Sequence, residues 1–303
     1  MRVFITGASG FVGSALVPEL LVAGHRVVGL ARSDASATAL RAAGAEAHRG
    51  CLEDLDSLRA GAAGADAVVH LAFIHGTSSF AEAARIDAQA VETIGAALLG
   101  SGRRFVVATG VGVPAGRVAV VPESNAPPAA RLAGPRAALR FLDKQVHTTI
   151  VCLPPVTHGP TDTHGFVPRL IAVARDKKVS AFVGDGANRW PAVHVRDAAR
   201  LFHLALEKLP AGAAVHAVAD EGIAIRNVAD VIGRHLGVPV TSIPTADAPT
   251  HFGFMGALLG RDTPSSGAVA RELLGWEPTQ PGLLADLEAG HYFQAHQSFR
   301  DSA

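Results

Sequence analysis

Thr6-Gly7-Ala8-Ser9-Gly10-Phe11-Val12-Gly13 follows the apolar run 3–6 and opens a stretch whose apolar residues recur at helical spacing. A glycine turn between a strand and a helix is the context a dinucleotide-binding fold requires. Gly7 permits the tight turn. Gly10 lets backbone N–H groups approach a pyrophosphate, and Gly13 lets the helix pack closely on the strand, at a dipole end that favours anions. Ser9, Phe11 and Val12 complete the turn and are assigned with the glycines to the cofactor.

Outward from this turn, short apolar runs at 3–6, 26–30, 46–49, 67–71, 105–109 and 149–153 alternate with amphipathic stretches at 11–23, 34–43, 54–62, 80–99 and 136–144. That rhythm predicts an α/β fold, a doubly wound parallel sheet of Rossmann type with helices on both faces. From about residue 155 the pattern loosens into Pro- and Gly-rich connections with shorter helices, such as those at 227–236 and 265–274. Residues 1–154 are therefore read as the nucleotide-binding domain, with segments returning from the second half. Residues 155–303 are read mainly as a smaller substrate lobe.

The second strand ends Gly29-Leu30-Ala31-Arg32-Ser33. NAD-selective sites place there an acid that bonds the ribose hydroxyls. Arg32 instead offers planar bidentate donors that suit a 2′-phosphate, with Ser33 beside it, so NADP(H) is preferred over NAD(H). Two alternatives stay open: Ser33 or Asp34 caps the following helix, or a shift of the turn brings Asp34 to the ribose.

Lys+Arg and Asp+Glu number 27 each, so no net field draws the chain to nucleic acid or an anionic membrane, and a small molecule is the expected partner. Cys51 and Cys152 lack CxxC spacing and read as free thiols in a reducing compartment. No apolar run approaches the roughly 18 residues of a membrane helix, and Met1 to Thr6 leave no room for a signal peptide. A cytoplasmic protein is expected. No two histidines show the His-x-x-x-His spacing, and no metal site is expected.

Taken in order, these segments resemble the extended short-chain dehydrogenase/reductases over nearly the whole chain. Thr6 to Gly13 has their TGxxGxxG form, and Val69-His70-Leu71-Ala72 resembles the fourth-strand segment that passes the adenosine, which implicates Leu71, Ala72 and Phe73. Residues 154–160 resemble their RPxxVYGP turn, Val193-His194-Val195-Arg196-Asp197 their VHVxD block at the lobe junction, and Leu274-Gly275-Trp276-Glu277-Pro278 their LGWxP. The resemblance implies a dinucleotide-dependent oxidoreductase, with a homodimer as the fold-level expectation.

One departure is chemical. The family's Tyr-x-x-x-Lys pair donates a proton to a carbonyl and holds the nicotinamide ribose. The single tyrosine here is Tyr292, and the corresponding stretch reads Ala130-Arg131-Leu132-Ala133-Gly134-Pro135-Arg136. Arg131 or Arg136 can stand in for the lysine, yet a guanidinium is a poor proton donor. Thr109, ending the fifth strand, occupies the family's substrate-orienting Ser/Thr place. His158, where the related turn has tyrosine, is the candidate acid, with His75 and His164 behind it. Asn188-Arg189-Trp190-Pro191 and the run 251–256 are weighed between pocket lining and lobe packing. The function expected is NADPH-dependent hydride transfer to an activated carbonyl, imine or conjugated C=C. A catalytically silent NADP(H) sensor and a sugar-type epimerase are the alternatives.

Overall fold

In the computed structural model, residues 1–75, 79–110, 116–117 and 132–294 are described. They divide into two units: Met1–Leu153 with Val195–Ala217 and Gly267–Pro278, and the remainder. In the first, β1 (Arg2–Thr6), α1 (Phe11–Val22), β2 (Arg26–Ala31), α2 (Asp34–Ala42), β3 (Glu46–Arg49), α3 (Leu55–Ala63), β4 (Ala67–His70) and α4 (Phe80–Ala97) alternate strictly. Then come β5 (Arg104–Thr109), the short β6 (Gly116–Arg117), α5 (Ala133–Leu139) and β7 (His147–Cys152).

The second unit begins with β8 (Val156–His158), α6 (Phe166–Lys177), β9 (Ser180–Val183) and β10 (Arg189–His194). The chain then gives α7 (Val195–Lys208) and β11 (Ala213–His216) to the first unit. The second unit takes β12 (Asp220–Ala224), α8 (Ile225–Leu236), β13 (Val240–Ile243), α9 (Ala248–Phe252) and α10 (Gly256–Leu259), while α11 (Ala268–Leu274) belongs to the first and α12 (Leu283–Glu288) to the second.

The main sheet runs β3-β2-β1-β4-β5-β7-β11-β6, parallel in every pair except β11 with β6. Helices cover both faces of such a sheet, so its strands are apolar throughout: Val3, Phe4, Ile5, Val68 and Val69 are fully enclosed. Burying a side chain of that size contributes about 1.5–3 kcal/mol. Side-chain oxygens of Ser33, Asp54 and Ser79 accept N–H bonds at the starts of α2, α3 and α4, which fixes where those helices begin. The strand order reverses direction between β1 and β4. Ligands of open α/β sheets bind at the carboxyl ends of the strands at such a switch point.

The helix expected at 136–144 is instead α5, which starts at Ala133 and stops at Leu139, followed by a 3-10 turn at Leu142–Lys144 that closes on Gln145 at φ +56°. In the second unit, β12-β10-β8 and β13-β9 are small sheets backed by a core that includes Val167, Ile171, Trp190, Ile232 and Leu287. Of the two roles weighed for Trp190, it takes packing: it is buried in that core, edge-on to Phe166, and its Nε1 donates to Arg261 O at 3.0 Å. From the run 251–256, Phe252 and Met255 join the core, while Phe254 is exposed with the Arg169 guanidinium over its ring. Among the described residues, no helix is long and apolar enough to cross a membrane.

Candidate active site

The glycine turn is shaped by backbone crowding on two sides and by open space on the third. Gly7 has φ +72°, and a Cβ there would lie 2.8 Å from Ala72 N. One on Gly13 would lie 2.1 Å from Gly7 O, so α1 cannot seat on β1 with any side chain at that position. Gly10 differs. Its backbone is extended (φ −80°), a conformation any residue adopts, and within 4 Å a Cβ would meet only Gly7 O, at 3.2 Å. The dihedrals at position 10 therefore do not require glycine, and a side chain there would have Gly7 O as its one close neighbour. No side chain caps α1, whose first-turn N–H groups therefore lack an intrahelical or side-chain acceptor. These residues fit the pyrophosphate of a dinucleotide.

The far wall of the turn is a buried chain. Thr6 Oγ1 lies 2.9 Å from His70 Nδ1, and His70 Nε2 lies 3.1 Å from Asp87 Oδ1 on α4. The same Thr6 hydroxyl accepts from Ala72 N at 3.3 Å, and Leu71 N donates to Thr6 O at 3.1 Å. This chain ties the end of β4 to the end of β1 and holds Ala72 against Gly7. Phe73, half-buried after Ala72, packs on the rings of His75 and Phe80. A Cβ on Gly134 would meet Asp87 Oδ2 at 2.3 Å, so α5 also lies directly on this chain. The contact itself is not legible in the sequence: Thr6, His70 and Gly134 stand in the quoted motifs, but they meet one another and Asp87 only once the strands pair and α4 and α5 pack against them.

At the β2 end, Arg32 is exposed. The Ser33 hydroxyl accepts from Ser36 N at 3.2 Å, and Ser33 N donates to the Ser36 hydroxyl at 3.1 Å, a capping box that engages both residues at the start of α2. Asp34 pairs with Arg49, at 3.3 Å, from the neighbouring strand whose register sets Arg49 beside Ala31. Thr109 is buried at the end of β5, with Leu153 N donating to its carbonyl at 2.8 Å. The pairing of His70 with Val107 sets Thr109 two residues beyond the β4 partner, at the carboxyl edge of the sheet. Arg136 is half-buried on α5. Arg131 lies outside the described residues.

In the second unit, His158 ends β8 opposite His194 of β10, their rings edge to face at 5.4 Å. His158 is fully enclosed, and its Nδ1 lies 2.7 Å from Asp286 Oδ2. Just beyond it, the Tyr292 hydroxyl accepts from Gly159 N at 2.9 Å and lies 3.5 Å from Asp162 Oδ2. Burial pushes both acids up: Asp162 titrates above the ordinary carboxylate range, against the opposing pull of its bonds from Gly165 N and His164 N, and Tyr292 well above an ordinary phenol. The single tyrosine is thus a packed tie to the 159–165 turn. His75 and His164 are exposed.

A family model described as the NAD dependent epimerase/dehydratase family matches residues 3–218. The chain belongs to that family. It is 46% identical to uncharacterized protein C2A9.02 of Schizosaccharomyces pombe over 97% of this chain and 100% of that one. It is also 30% identical to the 4-hydroxy-2-methyl-3-oxo-4-farnesyl-3,4-dihydroquinoline-1-oxide ketoreductase of Stigmatella aurantiaca, over 96% and 92% of the two chains. Among solved structures it resembles MoeE5 in complex with UDP-glucose and NAD, with TM-score 0.74, 25% identity and coverage of 96% and 97%. As a member of this epimerase/dehydratase family it is an NAD(P)-dependent, oxidoreductase-type enzyme of the extended short-chain dehydrogenase/reductase superfamily.

Proposed function

We propose that this enzyme is an NADPH-dependent reductase acting on an activated carbonyl, imine or conjugated C=C of a small, largely apolar molecule. The observation that carries the cofactor choice is at the end of β2. Arg32 stands exposed where an NAD site keeps its acid, and the nearby carboxylate, Asp34, faces Arg49 instead. When bound, the nicotinamide supplies the hydride. The chain's own residues bind and orient: Gly7, Gly10 and Gly13 with Ser9, Phe11 and Val12 cradle the pyrophosphate, and Leu71, Ala72 and Phe73 flank the adenosine. Arg32 takes the 2′-phosphate, and Ser33 fixes the start of α2 beside it.

Thr109 bonds the substrate, while Arg136, or Arg131, takes the lysine's task of holding ribose and an oxyanion. Reduction of a conjugated C=C ends with a proton on carbon, which water can deliver, so the missing tyrosine is dispensable. His158, without exposed surface and bonded to Asp286, is assigned to positioning the 159–165 turn rather than to proton transfer. The ketoreductase relative supports a reductase over an epimerase, since an epimerase needs a base in the tyrosine's place. The second unit is read as the substrate lobe, and the reading includes a homodimer acting in the cytoplasm.

The test follows NADPH absorbance against a panel of ketones, imines and conjugated enones. One class should oxidise NADPH with stoichiometric product, and Thr109→Ala and Arg136→Ala should lose turnover while NADPH binding persists. An NADPH complex whose nicotinamide face is blocked by side chains would overturn the proposal in favour of a sensor.

A further inference from the structure

The amino edge of the main sheet, opposite the glycine turn, carries a cluster that the cofactor chemistry does not use. His25 directly precedes β2, Glu19 lies near the carboxyl end of α1, and His203 and Glu207 are one turn apart on α7, which packs against α1. Glu207 Oε1 lies 3.1 Å from His25 Nε2 and 3.4 Å from His203 Nε2. Ligand atoms of His25, His203 and Glu207 all fall within 4.8 Å of one another. Around a tetrahedral zinc with bonds of about 2.1 Å, neighbouring ligand atoms stand roughly 3.4 Å apart. The two carboxylate separations already have that spacing, so only a small closure of the two imidazoles remains.

Two further observations point to a ligand. His203 Nε2 is enclosed and makes no hydrogen bond among the described residues, although it is aimed at the cluster. Its other ring nitrogen, Nδ1, lies 3.1 Å from Glu19 Oε1. A carboxylate behind a histidine fixes the tautomer that presents a lone pair on the opposite nitrogen, the arrangement that supports metal-bound imidazoles. A donor set of two imidazoles and a carboxylate suits zinc, and the partly exposed Glu207 and Glu19 leave an entry path and room for a water as fourth ligand. The site has no His-x-x-x-His pair. It combines a His-x-x-x-Glu helix turn with a histidine 178 positions earlier (203 less 25), which is why spacing alone misses it.

We propose that His25, His203 and Glu207 form a zinc site, with Glu19 as the positioning residue of His203, that clamps α1 to α7. Each histidine binds zinc through an Nε2 lone pair, so a proton on His25 Nε2 moves to Nδ1 or, from the imidazolium, to solvent when the ion binds. The proposal is independent of the cofactor assignment.

The test uses the full chain, freed of metal with a chelator and titrated with zinc sulfate by calorimetry, with cobalt(II) as a spectroscopic probe. One equivalent should bind saturably, raise the melting temperature, and with cobalt give the intense visible bands of a four-coordinate ion. His25→Gln and His203→Gln should each weaken zinc at least tenfold, and Glu19→Gln about tenfold, in line with the loss of an outer-shell partner. Glu19→Gln touches only a part-exposed side chain, so it reports on the site even if a histidine variant folds poorly. Absence of a saturable equivalent, or zinc affinity unchanged in Glu19→Gln and in either folded histidine variant, would overturn the proposal. In that case the cluster is an ion-pair tie between helices.

Discussion

Asp286 Oδ2 lies 2.7 Å from His158 Nδ1, and both side chains are enclosed within the second unit. The pair anchors the end of β8 to α12, immediately before the turn that Tyr292 and Asp162 hold. Truncating one member strands the other without a partner in a site water does not reach, which costs about 1–3 kcal/mol, and more where a charge is left behind. Asp286→Ala should therefore lower stability by about 2–3 kcal/mol in urea unfolding. NADPH affinity at constant temperature, well below the melting point, should stay within about twofold of wild type. A variant as stable as wild type would remove the pair from the packing account.

The turn at 159–165 carries its own pH signature. Burial raises the Asp162 carboxyl above its usual value of 3.8, so the native state binds a proton more tightly than the unfolded chain. The stabilising contribution is complete below the unfolded value and is lost as pH rises through the raised native one. Asp162→Asn keeps an acceptor for Gly165 N and has no such titration. The stability of wild type relative to Asp162→Asn should thus fall as pH rises from the ordinary carboxylate value through the raised native one, as read from urea midpoints. A constant difference would contradict the burial argument.

Gly10 and Gly13 separate cofactor from fold. Gly13→Ala drives a methyl into Gly7 O and the Ala8 backbone and should fail to fold or melt far below wild type. Gly10→Ala needs only a few tenths of an ångström of give at Gly7 O, so it should melt close to wild type while losing tenfold or more in NADPH affinity. Calorimetry with both dinucleotides, beside a thermal melt, checks each half. A Gly10→Ala variant that binds like wild type would take the pyrophosphate away from this turn.

Tyr292→Phe removes the acceptor of a buried Gly159 N–H and should cost about 1–2 kcal/mol of stability. Once a substrate is in hand, its turnover should persist, since no proton leaves this phenol, held by burial far above its ordinary range. Loss of turnover with normal stability would return the tyrosine to the chemistry.

The first unit was legible because each of its features has a local cause. A strand buried on both faces is a run of apolar residues, as in β1 and β5, and Gly7 and Gly13 of the turn each answer one steric demand. Expected and observed bounds of β1 to β5 agree to within a residue or so at either end. β11 went unread: Ala213-Ala214-Val215-His216 is too short and alanine-rich to announce a strand, and only pairing beside β7 makes it one. α6 was not marked as a helix, and the first turn of α7 was read only as part of the 193–197 motif. At the proposed site, Gly10 and Arg32 are assigned from residue type and place in the sequence. The Thr6–His70–Asp87 chain is not, since its members sit 64 and 17 positions apart and meet only when β4 pairs with β1. For Trp190, weighed between pocket lining and packing, the fold selects packing.

On the proposed assignment Arg32 takes the 2′-phosphate of NADPH, and calorimetric titration of wild type and Arg32→Ala with NADPH and NADH reads that contact. Wild type should bind NADPH more tightly than NADH, and Arg32→Ala should lose tenfold or more for NADPH alone, because a bidentate guanidinium–phosphate contact is removed while the pyrophosphate cradle stays. Equal affinities of wild type for the two dinucleotides, or an Arg32→Ala variant that weakens both alike, would contradict it.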